Sequence, residues 1–202
     1  MADNPNLETP PFPPLKWDGY FWTARIVLNS WRGFQSRLGA YASQTSSNES
    51  DGTARLSIEP PGAKQTPPSP EQANAFRYLL ENEAAIRDAI VAAVFEEYPA
   101  LRQRSLEDGF VAEDDMPVLE RVDELKAHIG LSTIHVLRVA KDGVAYVGLE
   151  FGCSWDEEHG LGLMTHRDRL VELPDMDIGR VFGADLASED WVAEADAEAT
   201  GW

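Results

Sequence analysis

The densest set of chemically capable side chains is the run Cys153-Ser154-Trp155-Asp156-Glu157-Glu158-His159-Gly160-Leu161-Gly162. Three carboxylates next to an imidazole admit several chemistries. A Glu beside a His can share protons near neutral pH, which is general acid-base work. Carboxylate and imidazole also ligate metals, and Glu158 and His159 with His166 on a neighbouring strand form the candidate metal set. Zinc sites usually draw ligands at regular spacings such as H-E-x-x-H, which this chain lacks. A row of exposed acids also suits a basic protein surface, which makes Asp156, Glu157, Glu158 and His159 the candidate partner-binding residues. The fourth reading is structural: Asp156 bonds backbone amides ahead of it, while Gly160 and Gly162 permit positive φ or close backbone approach. The structural and partner-binding readings are taken ahead of catalysis and metal binding.

The elements that must position this run are legible around it. Val147, Leu149, Phe151, Cys153 and Trp155 fall on alternate positions, so a strand would place all five on one core-facing side. Cys153 is therefore a core thiol rather than a nucleophile, for burial raises a thiol's pKa and no basic residue lies near in sequence. Lys141-Asp142-Gly143 is a hairpin signal joining this strand to a preceding one over 131–140. A return strand follows over 160–166 and a short one over 170–173. His135 reads as a sheet residue with a local partner.

Upstream, the aromatic and β-branched run from Trp17 to Leu28 reads as a strand, Asn29-Ser30 as a turn, and Trp31 to Tyr41 as a second strand. Residues 43–52 are polar and serine-rich, as in an exposed loop, and Ala54, Leu56 and Ile58 alternate as a third strand. Ser69-Pro70-Glu71-Gln72 opens a helix with a capping box, and apolar spacing carries it to about Tyr98, where Pro99 discourages continuation. Residues 100–116 read as a loop. Leu119, Val122, Leu125 and Ile129 predict a second helix over 117–129, whose end places His128 at a favourable dipole position. The fold class expected is α+β, with antiparallel sheets from two β-meanders packed by one long helix and one shorter one.

Three segments follow from composition. Residues 1–14 hold five prolines and are expected to be a flexible lead-in, with Phe12 able to pin its end. Residues 15–173 form a single α+β domain. Residues 174–202 carry eight acids against Arg180 alone and read as an acidic tail, with a helix over 188–200 that Trp191 can dock.

Charge sets the partner classes. The chain has 35 acids against 17 Lys plus Arg, a net of -18 over 202 residues. Nucleic acid and anionic membranes are disfavoured, and a basic protein partner is favoured. One cysteine, no signal-peptide pattern and no long apolar segment point to a cytoplasmic protein. No Rossmann, P-loop or G-x-S-x-G pattern occurs, and no cofactor is expected.

Pro70-Glu71-Gln72 opening a helix with Tyr78-Leu79-Leu80-Glu81-Asn82-Glu83, then 145–151 running into Cys153-x-Trp155-Asp156-Glu157-Glu158-His159-Gly160-Leu161-Gly162, resembles a family of uncharacterised bacterial proteins. Those share an F-x-C-x-W-D-x-E-H-G-x-G signature, and the resemblance covers residues 55–173. The family is similar to proteins encoded around polymorphic toxin systems, where small acidic α+β proteins serve as immunity proteins. It implies a fold and a context, and no catalytic residues. The function expected is a non-enzymatic acidic binding protein, an immunity protein that neutralises a toxin by contact. The alternative is a metal-assisted or acid-base hydrolase using Glu157, Glu158, His159 and His166.

Overall fold

In the computed structural model, residues 6–38, 44–107, 109, 111–156, 159–172 and 179–199 are described. The fold is α+β, but its strands form one large sheet rather than two meanders. Among the described residues, ten strands run in chain order: β1 (Asn6–Leu7), β2 (Leu15–Trp17), β3 (Trp22–Val27), β4 (Gln35–Leu38), β5 (Gln44–Glu49), β6 (Thr53–Ile58), β7 (Ile129–Lys141), β8 (Val144–Cys153), β9 (Leu161–His166) and β10 (Arg169–Leu170). Eight of them line up as β1-β2-β3-β6-β7-β8-β9-β10, and β4-β5 forms a separate hairpin. Every pairing in the large sheet is antiparallel except β6 with β7, where Leu56 faces Ile134 and Ile58 faces Val136. That parallel pairing fuses the two expected meanders. It requires a crossover, because parallel neighbours cannot be joined by a tight turn.

The crossover contains α1 (Pro70–Glu81) and α2 (Glu83–Glu107). Ser69 accepts from the Gln72 amide at 3.2 Å, and the Gln72 side chain accepts from the Ser69 amide at 2.9 Å, so both halves of the capping box form. The expected single helix is divided at Asn82, whose side-chain amide donates to the Tyr78 carbonyl. It also runs beyond Pro99 rather than stopping there. Tyr98 and Arg102 explain the continuation: the Tyr98 hydroxyl donates to Pro117 O at 2.8 Å, and Arg102 Nε donates to Met116 O at 2.6 Å. These bonds offset the missing proline donor. The expected loop over 100–116 is thus helical through Glu107.

The second helix expected over 117–129 is absent. Its place is taken by a 3-10 turn, Val122–Ala127. Glu124 Oε2 accepts the amides of both Glu120 and Arg121, which closes a tight turn where a helix would need those groups in register. Further upstream, the strand expected from Trp17 to Leu28 is broken, because Asp18 Oδ1 accepts the Tyr20 and Phe21 amides. Asn29–Trp31 forms a 3-10 turn, and the expected loop over 43–52 contains β5.

The main core lies between one sheet face and the α1-α2 pair. Leu56, Ile58, Ile134, Val136, Val147, Leu149, Phe151, Cys153 and Trp155 meet Phe76, Leu79, Ile86, Ile90 and Val94 there, together with Trp17, Trp22 and Trp31. All five alternating residues reach this core, four from β8 and Trp155 from just past its end. Phe12 stacks on Phe76 at 4.9 Å between centroids, and β1 pairs with β2.

The opposite face carries a second, smaller core. Leu137, Tyr146, Met164, Val171 and Phe182 pack there against a 3-10 turn, Ala184–Ser188, and α3 (Asp190–Ala199). The acidity of the C-terminal segment does not keep it off the sheet, for Val192 and Ala193 are fully buried. Asp196 is 4% exposed; it accepts the Tyr146 hydroxyl at 2.8 Å and both Nη atoms of Arg169. Burial raises the Asp196 carboxyl's pKa, but the bonds from Arg169 and Tyr146 outweigh it and hold the group below the usual carboxylate range. At the start of α3, Arg138 bridges Asp190 at 2.5 Å and Glu59 at 3.5 Å. Burial, and then Asp190 beside it, push Glu59 up to about 7.

Two outcomes test this packing. Gln72 is fully buried, and its side-chain nitrogen reaches the carbonyls of Glu59, Val136 and Leu137 at 2.7, 3.2 and 3.0 Å. Gln72→Leu strands those carbonyls, so urea unfolding will show a loss of about 2–3 kcal/mol. For Glu59, the folded state keeps a proton that the unfolded chain releases near 4.5. Its contribution to stability therefore falls as pH rises from about 4.5 to about 7 and is level above that. Glu59→Gln removes this fall, which urea melts of both proteins across the window will read.

Candidate functional site

The 156–159 turn hangs between β8 and β9, and the side chains beneath it explain its shape. Cys153 is fully buried, and its Sγ donates to Asp156 O at 3.5 Å. Trp155 packs edge-on against Tyr98 at 5.3 Å between centroids. Gly160 donates to Asp156 O at 3.0 Å and has φ +61, where an added Cβ would lie 2.4 Å from Phe151 O. Gly162 likewise permits close approach, its Cβ position being 2.8 Å from Gly183 O. Both glycine roles expected from the sequence are present.

Asp156 is committed to the turn. Its Oδ1 accepts the His159 amide at 2.8 Å and lies 3.2 Å from His159 Nδ1. The His159 side chain is 73% exposed, and its carbonyl accepts from Ala184 N. Glu157 and Glu158 lie outside the described residues. His159 and His166 are not brought together: His166 ends β9, a six-residue strand about 17 Å long, and His159 precedes its start. His166 is buried, with Nε2 2.9 Å from Lys141 O and its ring against Tyr146. Of the candidate metal set, His159 and His166 are therefore separated by the length of the strand, and Glu158 lies outside the described residues. Among the described residues no cluster of three or more His, Cys, Asp or Glu is placed to hold a metal ion. The other histidines are held by neighbours. His135 pairs with Glu150 at 3.0 Å, and His128, the C-cap residue of the 122–127 turn, has its Nδ1 2.9 Å from Ser154 Oγ.

One grouping near the turn was not legible in the sequence. Ser154 Oγ also donates to Asp115 O at 3.3 Å, which seats the exposed stretch Glu113-Asp114-Asp115 beside the strand end that leads into Asp156. This brings Glu113-Asp114-Asp115 to the strand end that leads into Asp156, some 40 residues further along the chain. Val118, 72% exposed, and Val122, 43% exposed, lie just beyond the first stretch in the chain. The signal available beforehand was only the short Glu-Asp-Asp run, whose position depended on the unforeseen continuation of α2.

A family model described as Domain of unknown function (DUF6985) matches residues 40–180. The chain belongs to this family. The DUF6985 match takes in β5 to β10, α1, α2 and the 156–159 turn, and excludes β1 to β4 and α3. No curated protein and no solved structure matches the chain. Among the described residues, no helix is long and apolar enough to cross a membrane.

The bonding of Asp156 yields a direct check on its role. Asp156→Asn keeps an Oδ1 acceptor and will leave stability within about 0.5 kcal/mol, whereas Asp156→Ala will cost about 1 kcal/mol in urea unfolding. Equal losses in both would mean that the charge, not the turn bond, is what matters.

Proposed function

We propose that this DUF6985 protein is a non-enzymatic binding protein that takes a basic protein partner on its acidic end, as an immunity protein neutralises a toxin by contact. The observation that carries this reading is the Ser154–Asp115 bond, which puts 113–115 next to the strand leading into 156–159. The first stretch contributes three exposed acids, and the second contains Asp156, Glu157 and Glu158 in sequence. A net charge of -18 accelerates encounter with a basic protein, and exposed Val118 supplies apolar contact that charge alone does not.

The test is affinity capture from a lysate of the native host at low and moderate salt. The wild-type protein is compared with a variant carrying Glu113→Gln, Asp114→Asn, Glu157→Gln and Glu158→Gln. A basic protein held by the wild type, released by salt and associating about tenfold more slowly with the variant is the expected result. Capture of no basic protein, or equal association with both, would overturn the proposal.

A further inference from the structure

Among the described residues, the part of the sheet around Lys16 of β2, Arg25 of β3 and Arg55 of β6 presents an open face, opposite to the one that α1 and α2 bury. Strand alternation sends Trp22, Leu56 and Ile58 into the core, so Thr23, Arg25 and Val27 of β3 and Thr53 and Arg55 of β6 lie on the other side. The small core formed by α3 covers only the β7-to-β10 part of that side. On the uncovered part, Lys16, Arg25 and Arg55 are all exposed and line one open groove of about 360 Å³ with Thr23.

Two features set this groove apart. Arg25 and Arg55 are direct cross-strand partners, an arrangement in which like charges repel and destabilise the sheet. Only Arg55 is neutralised, by Asp18 at 2.6 Å, and the Asp18 carboxylate also caps its own turn. Lys16 and Arg25 have no ion-pair partner among the described residues. The sign of the patch is also opposite to that of the chain, in which acids outnumber Lys plus Arg by 35 to 17. Three cations therefore meet one carboxylate on an otherwise acidic protein. Lys16 and Arg25 precede the region matched by the DUF6985 model, so the family description does not account for them.

We infer that this face is a docking surface for an acidic segment of a partner protein, whose carboxylates take the place of the missing counter-charges on Lys16, Arg25 and Arg55. Guanidinium pairs bind carboxylates through two parallel N–H donors, which suits side chains fanned across neighbouring strands. The groove is open and lies along a flat strand surface, a shape that fits an extended chain better than an enclosed small molecule. It stands apart from the acidic end and does not depend on the role proposed for that end.

The experiment is an NMR titration of the labelled full-length protein with decaglutamate and, separately, with inorganic pyrophosphate. The molecule as a whole repels decaglutamate, so saturable binding at this face reports the local patch. Saturable shifts at Lys16, Arg25 and Arg55 with the peptide, weakening as salt rises, are expected. Lys16→Gln with Arg25→Gln will weaken that binding about tenfold, while Arg104→Gln, an exposed change elsewhere, will not. A second readout separates a recognition role from a structural one. Arg25→Glu turns the repulsive cross-strand pair into an attractive one and will raise the melting temperature of the free protein while abolishing peptide binding. No saturable peptide shifts, equal weakening by Arg104→Gln, a response to pyrophosphate alone, or a lower melting temperature for Arg25→Glu would each overturn the inference.

Discussion

The structure depends on the parallel seam between β6 and β7, and on the one side chain that completes it. Antiparallel hairpins assemble from local turns, whereas this seam joins strands separated by the whole α1-α2 crossover. At its end the backbone of β6 leaves the ladder, and carbonyls at Glu59, Val136 and Leu137 converge on the amide of Gln72. The same side chain caps α1 through Ser69. Helix start and sheet seam are therefore fixed by one residue. A shift of α1 along the sheet would break the capping box and strand the carbonyls together. Buried polar groups of this kind contribute modestly when satisfied and cost a good deal when they are not, so they specify one arrangement over its neighbours.

The second layer depends on the absence of side chains. A Cβ on Gly148 would sit 1.6 Å from Ala187 O, so the 184–188 turn lies directly on the strand backbone. Gly162 allows the same approach and pairs with Phe182 across the isolated bridge. Around this close contact the polar network of Tyr146, Asp196 and Arg169 ties α3 to β8 and β10. A helix with four acidic residues is held on the sheet because the buried carboxylate of Asp196 meets a guanidinium and a phenol.

What the sequence disclosed and what it concealed divide along the range of the interactions. The capping box at Ser69, the Asp142-Gly143 hairpin, the buried alternation of β8 and the roles of Gly160 and Gly162 are all local, and each is present. The divided helix at Asn82, the passage through Pro99 and the 3-10 turn at 122–127 are decided by distant partners such as Met116 and Pro117, or by a single carboxylate competing for amides. The single sheet was hidden for the same reason: nothing in residues 60–128 announces that the strands on either side will pair in parallel. The second core was hidden by composition, because Ala-rich acidic helices usually stay in solvent and only the glycines of β8 and β9 reveal a surface that can accept one. The 156–159 turn was legible as a built turn, and its neighbour at 113–115 was not.

That neighbour changes what the turn can do. The 113–115 stretch is not draped over the surface but fixed from below: Arg102 holds the Met116 carbonyl, Tyr98 holds that of Pro117, and Ser154 holds that of Asp115. The two end residues of the turn are held as well, with the Asp156 carbonyl accepting from Cys153 and Gly160 and the His159 carbonyl from Ala184. Association costs free energy for every loop that must be ordered at an interface, and loops already ordered avoid most of that cost. In the binding role proposed above, an acidic end built on such supports relies on charge and a little apolar contact rather than on the deep pocket that a small ligand would require. Its capacity to do so resides in buried or half-buried side chains, Tyr98, Arg102, Cys153 and Ser154, that no partner would touch.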